Sequence, residues 1–503
     1  MPRFLTTKTQ ISGYRLLVRR IEQGFIRRDV RLIASPFAAQ ASAFSIGIGI
    51  ASLVIIAGLV VSFINPKPAR GNATILSTKS GSRFVMYQDA LHPVTNLASA
   101  RLIVGSSEDV KVVKDDELAN YPRGLLMGIP AAPDAMVPRE DSMSQWAVCS
   151  QFDASSALAL TQSRSARTLV VAGESAIEAA GPALTEGEAM LVTQTGGSGP
   201  KVWLLYKGER TEIKDTARAL KTTLGITETE VENATVVTDA FLDAFLDAVP
   251  VREPFAKPTI AKDGASSSVM PKRRVGSILT STGVGEERAY LVLDDGLQPI
   301  SPFVAQLLVN SGSPVVNDVE ASEITQAPTA SAVDVSYYPG QIPSIVNHHT
   351  ACYDWSRSGD SASSSRIYAL DSVPLNDEDR SRAVALLPPR GQTPQTDFFF
   401  TEPGKGWFVE VTGQDSDSLS QEQLWWISDA GVRYSISGNS ETSESDALNS
   451  LGLDKVTPHR VPWSILRLLP EGNGLSTTSA KVIHETIPPD MARAPFTESK
   501  GLN

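Results

Sequence analysis

The most constraining feature of this sequence is a long apolar run near its start. No charged residue occurs from Leu32 to Pro66, and Ala41–Ile64 is almost entirely apolar or small. A helix of that length, rising about 1.5 Å per residue, can cross a hydrocarbon core of about 30 Å. The run is apolar on every side, unlike a core helix, and too far along the chain for a cleaved signal peptide. We therefore predict one uncleaved transmembrane helix over residues 38–66.

Charge is divided unevenly on the two sides of this run. Residues 1–70 contain ten Lys/Arg and two Asp/Glu, a net charge of +8, which leaves −19 for residues 71–503 because the whole chain carries −11. The positive-inside rule places residues 1–37 in the cytoplasm and residues 67–503 on the outer side of the membrane. So acidic an outer region would repel phosphates, which excludes a nucleic-acid-binding protein.

The basic head has the pattern of an amphipathic helix. Apolar residues recur at helical spacing and form one face, which comprises Ile11, Tyr14, Val18, Ile21 and Phe25. Ser12 is the candidate N-cap. A basic amphipathic helix beside a membrane lies on anionic lipid or docks on an acidic partner. The remaining alternative is that its charges serve only to fix the orientation of the chain in the membrane. The candidate docking residues are Arg15, Arg19, Arg20, Arg27 and Arg28.

Two stripes of small residues occur inside the apolar run. Ala43, Gly47 and Ala51 recur every four residues, as do Ser45 and Gly49. Such stripes let two membrane helices approach closely, and they also arise by chance in spans rich in glycine and alanine. The sequence therefore offers a packing surface for an intramembrane partner and leaves open whether it is used.

The chain has two cysteines, and both belong to the predicted outer region. Two lone cysteines in an oxidising compartment most simply pair, which would join Cys149 to Cys352. The bridge would close a loop of about 200 residues, for which the chain-entropy model gives about 5 kcal/mol. The alternative is a catalytic or metal-binding thiol near His348 and His349.

A hairpin followed by a helix recurs four times in the outer region. The hairpins have Asp/Gly turn chemistry, and each leads into a helix with a polar start. The spacing is too uneven for a solenoid, whose units abut at a fixed period. These features predict four small α+β repeat lobes, with chance recurrence as the alternative. The lobes cover about residues 83–138, 201–258, 286–330 and 423–480.

Strand-like runs lie between the predicted lobes. They predict a central β-rich domain built from residues 139–200, 259–285 and 331–422, which contains both cysteines. Residues 481–503 form a Pro-containing tail that we expect to be extended or disordered from Ile487 onward. The predicted fold class is α+β, with a short cytoplasmic amphipathic helix, one transmembrane helix and a large periplasmic region.

The sequence lacks the residue patterns of common catalytic sites. A phosphate-binding loop requires Gly-x-x-x-x-Gly-Lys-Ser/Thr, but Gly404-Lys405 is followed by glycine and has Phe399 at the position of the first glycine. Gly-x-Ser-x-Gly and His-Glu-x-x-His are absent as well. His348 and His349 are adjacent, and adjacent side chains point to opposite faces of a strand. We therefore nominate no catalytic, cofactor-binding or metal-binding residue.

Several motifs occur in a fixed order along the chain. They are Gln10-Ile11-Ser12-Gly13-Tyr14-Arg15 in the head, Leu91-His92-Pro93-Val94-Thr95-Asn96 in the first lobe, and Gly128-Ile129-Pro130-Ala131-Ala132-Pro133 after it. With the single span, the two cysteines and the further lobes, they resemble the EccB family of mycobacterial type VII (ESX) secretion systems. The resemblance covers the whole chain, although Ala131 stands where the family usually has glycine.

The resemblance implies a structural core subunit of the inner-membrane secretion complex, alongside EccC, EccD and EccE, with the mycosin protease on the outer side. It also implies four repeat lobes on a central β domain, a bridge between Cys149 and Cys352, and periplasmic self-association with a gating role. Family members are also named ATPases, so an ATP-hydrolysing component, with ATP as its ligand, is one alternative. A membrane-anchored cell-wall-binding protein is the other.

Overall fold

The computed structural model describes residues 7–28, 36–64, 71–152, 166–173, 177–194, 201–245, 256–282, 287–317, 319–387, 394–413, 416–437 and 441–486. Most of the predicted tail, from residue 487 onward, lies outside these residues. The chain divides into two units, Met1–Gly71 and Asn72–Asn503.

Helices occur in both units, and those of the second unit are short. In chain order they are α1 Lys8–Arg27, α2 Pro36–Ile64, α3 Leu97–Val104, α4 Asp115–Leu118, α5 Ile177–Ala180, α6 Arg218–Thr223, α7 Glu228–Glu232, α8 Asp239–Ala244, α9 Pro302–Asn310, α10 Ala321–Gln326, α11 Asp377–Arg382, α12 Glu441–Leu451, α13 Trp463–Leu466 and α14 Thr477–Ala480.

Strands occur throughout the second unit. In chain order they are β1 Ile75–Thr78, β2 Arg83–Tyr87, β3 Ala90–Pro93, β4 Lys111–Val113, β5 Leu126–Met127, β6 Ser144–Phe152, β7 Ala166–Ala172, β8 Glu188–Gln194, β9 Lys201–Tyr206, β10 Glu209–Glu212, β11 Thr235–Val237, β12 Ile278–Thr282, β13 Glu287–Val292, β14 Leu297–Ile300, β15 Val315–Val316, β16 Ser344–Ile345, β17 Thr350–Arg357, β18 Ser364–Leu370, β19 Val384–Ala385, β20 Phe398–Phe400, β21 Trp407–Thr412, β22 Leu424–Ile427, β23 Arg433–Ile436, β24 His459–Pro462 and β25 Ile483–His484.

Helix α1 begins earlier than the sequence analysis predicted. Thr7 is the N-cap, and its backbone N–H donates a hydrogen bond to Gln10 Oε1 at 3.0 Å. Thr7-x-x-Gln10 is a capping box, in which each side chain satisfies a backbone group of the other residue. Ser12, the predicted N-cap, therefore lies inside the helix, where its hydroxyl donates to the carbonyl of Thr9 at 3.0 Å.

Helix α2 contains the apolar run. Its stretch Gln40–Val60 is long and apolar enough to cross a membrane, and none of the side chains in this stretch is buried by the chain itself. The described residues thus contain one candidate membrane helix near the N-terminus, within the predicted span. An apolar helix with no core to pack against is what a bilayer would accommodate.

Four small sheets of the second unit share one strand order. These are small sheet 1 (β3-β2-β1-β4), small sheet 2 (β10-β9-β8-β11), small sheet 3 (β14-β13-β12-β15) and small sheet 4 (β23-β22-β21-β24). Along the chain, each sheet begins with three strands that pair antiparallel in succession, and one or two helices follow. A fourth strand then pairs parallel with the strand that comes first in the chain, which is β1, β8, β12 or β21. In small sheet 2 the first strand also pairs with β16.

Three strand-like runs are corrected by this pairing. The sequence analysis assigned the regions of β8, β12 and β21 to the central domain, but each is the first strand of a small sheet. Small sheet 1 likewise includes β1, which precedes the predicted start of the first lobe. A hairpin is a local sequence pattern, whereas the strand before it is recognised as part of the same sheet only through its pairing with a distant parallel strand. The local pattern therefore assigned the hairpin to a lobe and left the preceding strand in the central domain.

A separate six-stranded sheet forms the centre of the second unit, in the order β18-β17-β6-β7-β20-β19. We call it the central sheet. Its neighbouring strands β17 and β6 run antiparallel over eight paired positions, from Thr350–Gln151 to Arg357–Ser144. These strands are almost wholly buried, which accounts for the apolar and aromatic residues at their centres, Trp146–Cys149 and Ala351–Tyr353.

The sheets are joined by shared hydrophobic cores. One face of the central sheet, which includes Trp146 and Tyr353, packs with residues of small sheets 2 and 4 and of α8 and α13. A second core joins small sheet 2 to small sheet 3, and a third joins small sheet 4 to small sheet 1. The small sheets therefore pack in two pairs, each attached to the same face of the central sheet through one member.

Candidate functional site

The two cysteines meet in the middle of the central sheet. Cys149 on β6 is the direct cross-strand partner of Cys352 on β17, both are fully buried, and their sulfur atoms are bonded at 2.04 Å. The predicted disulfide is confirmed in the structure. The alternative of a free thiol near the adjacent histidines is excluded, because both sulfurs are used in the bridge.

The two histidines lie just before β17 and are exposed. The Nδ1 atom of His348 lies 3.0 Å from Asp371 Oδ1, on an exposed part of the chain. In the part of the chain that the structure describes, no group of three or more His, Cys, Asp or Glu side chains is arranged to hold a metal ion.

The five candidate docking arginines lie on α1 and at its C-cap. Arg15 and Arg19 are one helical turn apart on α1, Arg20 and Arg27 lie on a neighbouring line, and Arg28 follows as the C-cap. No residue of α1 is buried. The apolar face is just as exposed, with Tyr14 at 73% and Phe25 at 86% of their full accessibility. Both faces of this helix are thus available to a membrane surface or a partner.

The small-residue stripes lie along α2 within the candidate membrane helix. A side-chain carbon added to Gly47 or Gly49 would meet no atom within 4 Å. The Ser45 hydroxyl donates to the carbonyl of Ala41 at 2.9 Å, so its polar group is satisfied within the helix. Because the fold of the described chain does not require small residues here, the stripes are free to serve packing against another helix.

The sequence's only Gly-Lys pair is placed where it cannot form a phosphate-binding loop. Gly404 and Lys405 lie in a turn that leads into strand β21, whereas such a loop precedes a helix whose N-terminus faces the phosphate. The Lys405 ammonium lies 4.0 Å from Glu402 and its side chain is half-exposed.

A cleft of about 650 Å³ lies between the central sheet and small sheet 4. Its walls come from five separate segments: the chain that leads into β6, the end of β17 with the turn after it, strand β21, the connection from β21 to β22, and the segment that leads into β24. Four cationic side chains line it, namely Arg139, Arg357, Lys455 and Arg460. No local sequence pattern predicts this cleft, because most of the five segments are far apart in the chain. The nearest available signal is Arg357, a charged residue at the end of an otherwise buried strand.

At one end of the cleft the charges are already paired. The guanidinium of Arg139 contacts Asp141, lies 3.2 Å from Glu402 and stacks over the Trp407 ring at 5.1 Å. The hydrogen bond from Arg139 holds the pKa of the Asp141 carboxyl below its usual value. His459 packs edge-on against the same tryptophan, and burial lowers its pKa. Burial thus disfavours the charged form of the imidazole, and the hydrogen bond from Arg139 favours the charged form of the Asp141 carboxyl.

Comparison with protein families and with individual relatives gives one consistent result. The family model described as "Type VII secretion system ESX-1, transport TM domain B" matches residues 3–489. The chain is 31% identical over 502 residues to the ESX-5 secretion system ATPase EccB5 of Mycobacterium tuberculosis, covering 97% of this chain and 96% of the relative. It is 32% identical over 513 residues to the ESX-3 secretion system ATPase EccB3 of Mycolicibacterium smegmatis, covering 98% and 93%.

Solved structures agree with these relatives. A chain of an intact ESX-5 inner membrane complex superposes with a TM-score of 0.72 at 29% identity, over 99% of both chains. The EccB3 dimer from the ESX-3 core complex superposes with a TM-score of 0.68 at 29% identity, over 82% of this chain and 100% of that one. The family model and the relatives extend over nearly the whole sequence, from the basic head to the last small sheet, and this chain therefore belongs to the EccB family of type VII secretion systems.

Proposed function

We propose that this chain is a structural core subunit of a type VII (ESX) secretion complex in the inner membrane, with an outer region that self-associates and contributes to gating. The observation that carries the proposal is the full-length similarity to a chain of an intact ESX-5 inner membrane complex. The chemistry of the chain suits assembly. It combines one candidate membrane helix with an exposed basic amphipathic helix and a large disulfide-braced body.

The proposed orientation has the N-terminus in the cytoplasm and residues 67–503 in the periplasm. The excess of Lys/Arg before α2 supports it through the positive-inside rule. The disulfide supports it as well, since such bonds persist in oxidising compartments. A periplasmic assembly from the ESX-5 inner membrane complex is similar to 85% of this chain, with a TM-score of 0.69.

We infer that the four small sheets are repeat lobes derived from one unit. Their common strand order supports this. In three of them a returning segment also adds a parallel bridge to the outer strand, at Leu91–Arg123, Leu297–Thr329 and Arg433–Glu471. In small sheet 2 the corresponding stretch, residues 246–255, lies outside the described residues. A chance recurrence of hairpin and helix would not reproduce this returning segment.

The proposed partners are EccC, EccD, EccE and the mycosin protease, together with further copies of this chain. Self-association is supported by the dimer of the related EccB3. Docking of α1 on acidic partner surfaces is supported by its exposed arginines, and an intramembrane partner by the unpacked small-residue stripes of α2. Both α1 and α2 would bind their partners through side chains that are not buried in the chain's own fold.

The experiment that tests the proposal is native-size fractionation of mildly solubilised membranes, with mass spectrometry of the band containing this chain. A very large band shared with EccC- and EccD-like subunits is expected. Arg15, Arg19 and Arg20 are then replaced together by Gln. The basic residues nearest the span remain, so orientation is kept. The matched control replaces the exposed Lys111, Lys114 and Arg218 by Gln.

The α1 variant should lose partner subunits from the large band severalfold, and the control should retain them. A wild-type chain that migrates alone near its own mass would contradict the assembly proposal. Equal partner recovery from both variants would contradict docking through α1 while leaving assembly intact.

ATP hydrolysis is the second candidate function, because the relatives' names include the word ATPase. It is tested by nucleotide turnover of the purified full chain, with Lys405→Ala as the obvious variant. Turnover that is saturable and lost on this substitution would favour the enzyme. Turnover absent from the isolated chain but present in the complex would assign hydrolysis to another subunit.

A further inference from the structure

We propose that the cleft between the central sheet and small sheet 4 binds an oxyanion, a carboxylate or a phosphate group, through the charges of Arg357, Arg460 and Lys455. This inference is independent of the assembly proposed above. It rests on two enclosed guanidinium groups whose charges the described residues compensate poorly, at the wall of a cleft large enough for a small ligand.

Arg357 is the most deeply buried cation of the cleft. It ends strand β17, and only 2% of it is exposed. Its Nη1 donates to the Thr412 hydroxyl at 3.2 Å, whereas Nε and Nη2 have no hydrogen-bond partner among the described residues. No carboxylate within that part of the chain forms an ion pair with it. A buried guanidinium without a counter-charge is costly, and proteins ordinarily pair or bind such a group.

Arg460 increases the excess of positive charge. It lies on β24, its side chain is 10% exposed, and its Nη2 is 2.7 Å from Asp360 Oδ1. Its Nη1 has no hydrogen-bond partner among the described residues. The Asp360 side chain is 81% exposed, so solvent weakens its compensating charge. Burial first, and then the charge of Arg460, lower the pKa of Arg357, and these two effects outweigh the opposing charges of Asp360 and Asp417.

The acidic side chains of the cleft do not neutralise Arg357. Asp141 is paired with Arg139, and Asp360 is paired with Arg460. Glu410 is partly buried beside Arg460 in the register of β21 and β24, and burial raises the pKa of its carboxyl. The remaining acid, Glu140, is exposed at the rim. The uncompensated charge is therefore positive and is concentrated on the wall formed by β17 and β24.

An oxyanion is the ligand class that suits this wall. Guanidinium groups bind carboxylates and phosphates through parallel N–H donors and strong charge attraction. Lys455 is exposed at the rim and adds a cation that attracts an approaching anion. The volume of about 650 Å³ is in the range of small-molecule sites. Because Nε and Nη2 of Arg357 are enclosed and Nη1 donates to Thr412, an anion in the cleft would compensate Arg357 through proximity of charge rather than through hydrogen bonds to Nε or Nη2.

The test is thermal unfolding of the full chain in detergent while an anion is titrated at constant ionic strength. Inorganic phosphate is used in one arm and succinate in the other, which distinguishes phosphate from carboxylate recognition. We expect a saturable rise in Tm with at least one of them. Arg357→Gln should weaken the apparent affinity at least tenfold, and Lys455→Gln severalfold. The matched control is Arg382→Gln, an exposed arginine of α11 with its own surface ion pairs, which should respond like the wild type.

Three results would overturn the proposal. The first is that neither anion produces a saturable rise in the Tm of the wild type. The second is that Arg357→Gln retains the wild-type affinity, and the third is that Arg382→Gln loses as much affinity as Arg357→Gln. If Arg357→Gln does not fold, Lys455→Gln decides the matter, because substitution of an exposed rim residue leaves the core unchanged. An unaltered affinity in that variant would then exclude the site.

Discussion

Cys149 lies directly opposite Cys352 on the neighbouring strands β6 and β17 of the central sheet, with their Cα atoms 4.1 Å apart. The two residues are 203 positions apart in the sequence, and small sheets 2 and 3 lie between them. The bridge therefore closes a loop that contains half of the small sheets. It links β6 to β17 covalently at a point where both strands are buried.

Removal of the bridge should destabilise the second unit. We expect the double substitution Cys149→Ala/Cys352→Ala to lower the free energy of unfolding by about 2–5 kcal/mol, because the unfolded chain regains the freedom of a long loop. Urea unfolding of the full chain in detergent measures the change, and non-reducing peptide mapping verifies the bridge in the wild type. Reduced wild type serves as the control and should approach the stability of the variant. Two free thiols in mature protein would contradict the assignment.

Asp354 should make stability depend on pH. It lies on β17, is 3% exposed, and accepts a hydrogen bond from Gln145 Nε2 at 3.1 Å. Burial raises the pKa of its carboxyl from 3.8 to about 6. The folded state therefore binds this proton more tightly than the unfolded state. The stabilisation is complete below pH about 4 and is lost as the pH rises through about 6.

Substitution Asp354→Asn should remove this dependence, because an amide keeps the acceptor for Gln145 and carries no charge. At pH 7.5 the variant should be more stable than the wild type by on the order of 2 kcal/mol, and the difference should shrink toward pH 4.5. Denaturant unfolding across this range provides the measurement, with the exposed Asp295→Asn as control. A constant difference between variant and wild type at all pH values would contradict the assignment.

Ala131 is held in a backbone conformation that favours glycine. Its φ is 58°, in the left-handed region, and its carbonyl accepts a hydrogen bond from the Tyr434 hydroxyl at 2.8 Å, which fixes the turn. A non-glycine residue destabilises the folded state by about 1–2 kcal/mol in this region. Glycine avoids this strain, but it also raises the conformational entropy of the unfolded chain, which offsets part of the gain. Ala131→Gly should therefore stabilise the chain by about 0.5–1 kcal/mol, measured as a rise in Tm. A neutral or destabilising result would show that the turn relaxes in solution.

Asp243 should be important for the junction of small sheets 2 and 4. It lies on α8, with its carboxylate 3.3 Å from Arg467 and 3.7 Å from Arg210. Nearby, the Ser464 hydroxyl donates to the carbonyl of Ala244 at 2.9 Å and joins α13 to α8. Asp243→Ala leaves two partly buried arginines without this counter-charge.

We expect Asp243→Ala to cost about 1–3 kcal/mol of unfolding free energy. The control is Asp377→Ala, whose fully exposed carboxylate lies 3.9 Å from Arg380 and should contribute less than about 0.5 kcal/mol. Equal effects of the two substitutions in urea unfolding would show that the junction does not depend on the Asp243 ion pairs.

Local sequence patterns predicted the individual helices and hairpins of this fold better than they predicted which distant strands pair with each other. The apolar run gave the candidate membrane helix, and the turn at Gln88-Asp89, with φ of 48° and 60°, belongs to a hairpin that the sequence identified. The parallel pairing of β1 with β4 joins segments separated by a hairpin and a helix, so no local signal marks it. The cleft depends on still more distant segments, since Arg357 and Arg460 meet only after the central sheet and small sheet 4 have packed together.

The small-residue stripes of α2 lead to a prediction for the assembled complex. Gly47 and Gly49 have open space around them, so a larger side chain should not disturb the chain's own fold. If either stripe contacts another membrane helix, Gly47→Leu or Gly49→Leu should separate the two backbones and lower co-purification of partner subunits severalfold. Ile48→Phe is the matched control, because helical geometry places it between the two stripes, where added bulk should be tolerated. Partner recovery at the wild-type level from both glycine variants would show that the stripes face lipid, whereas loss from one of them identifies the contacting face of the helix.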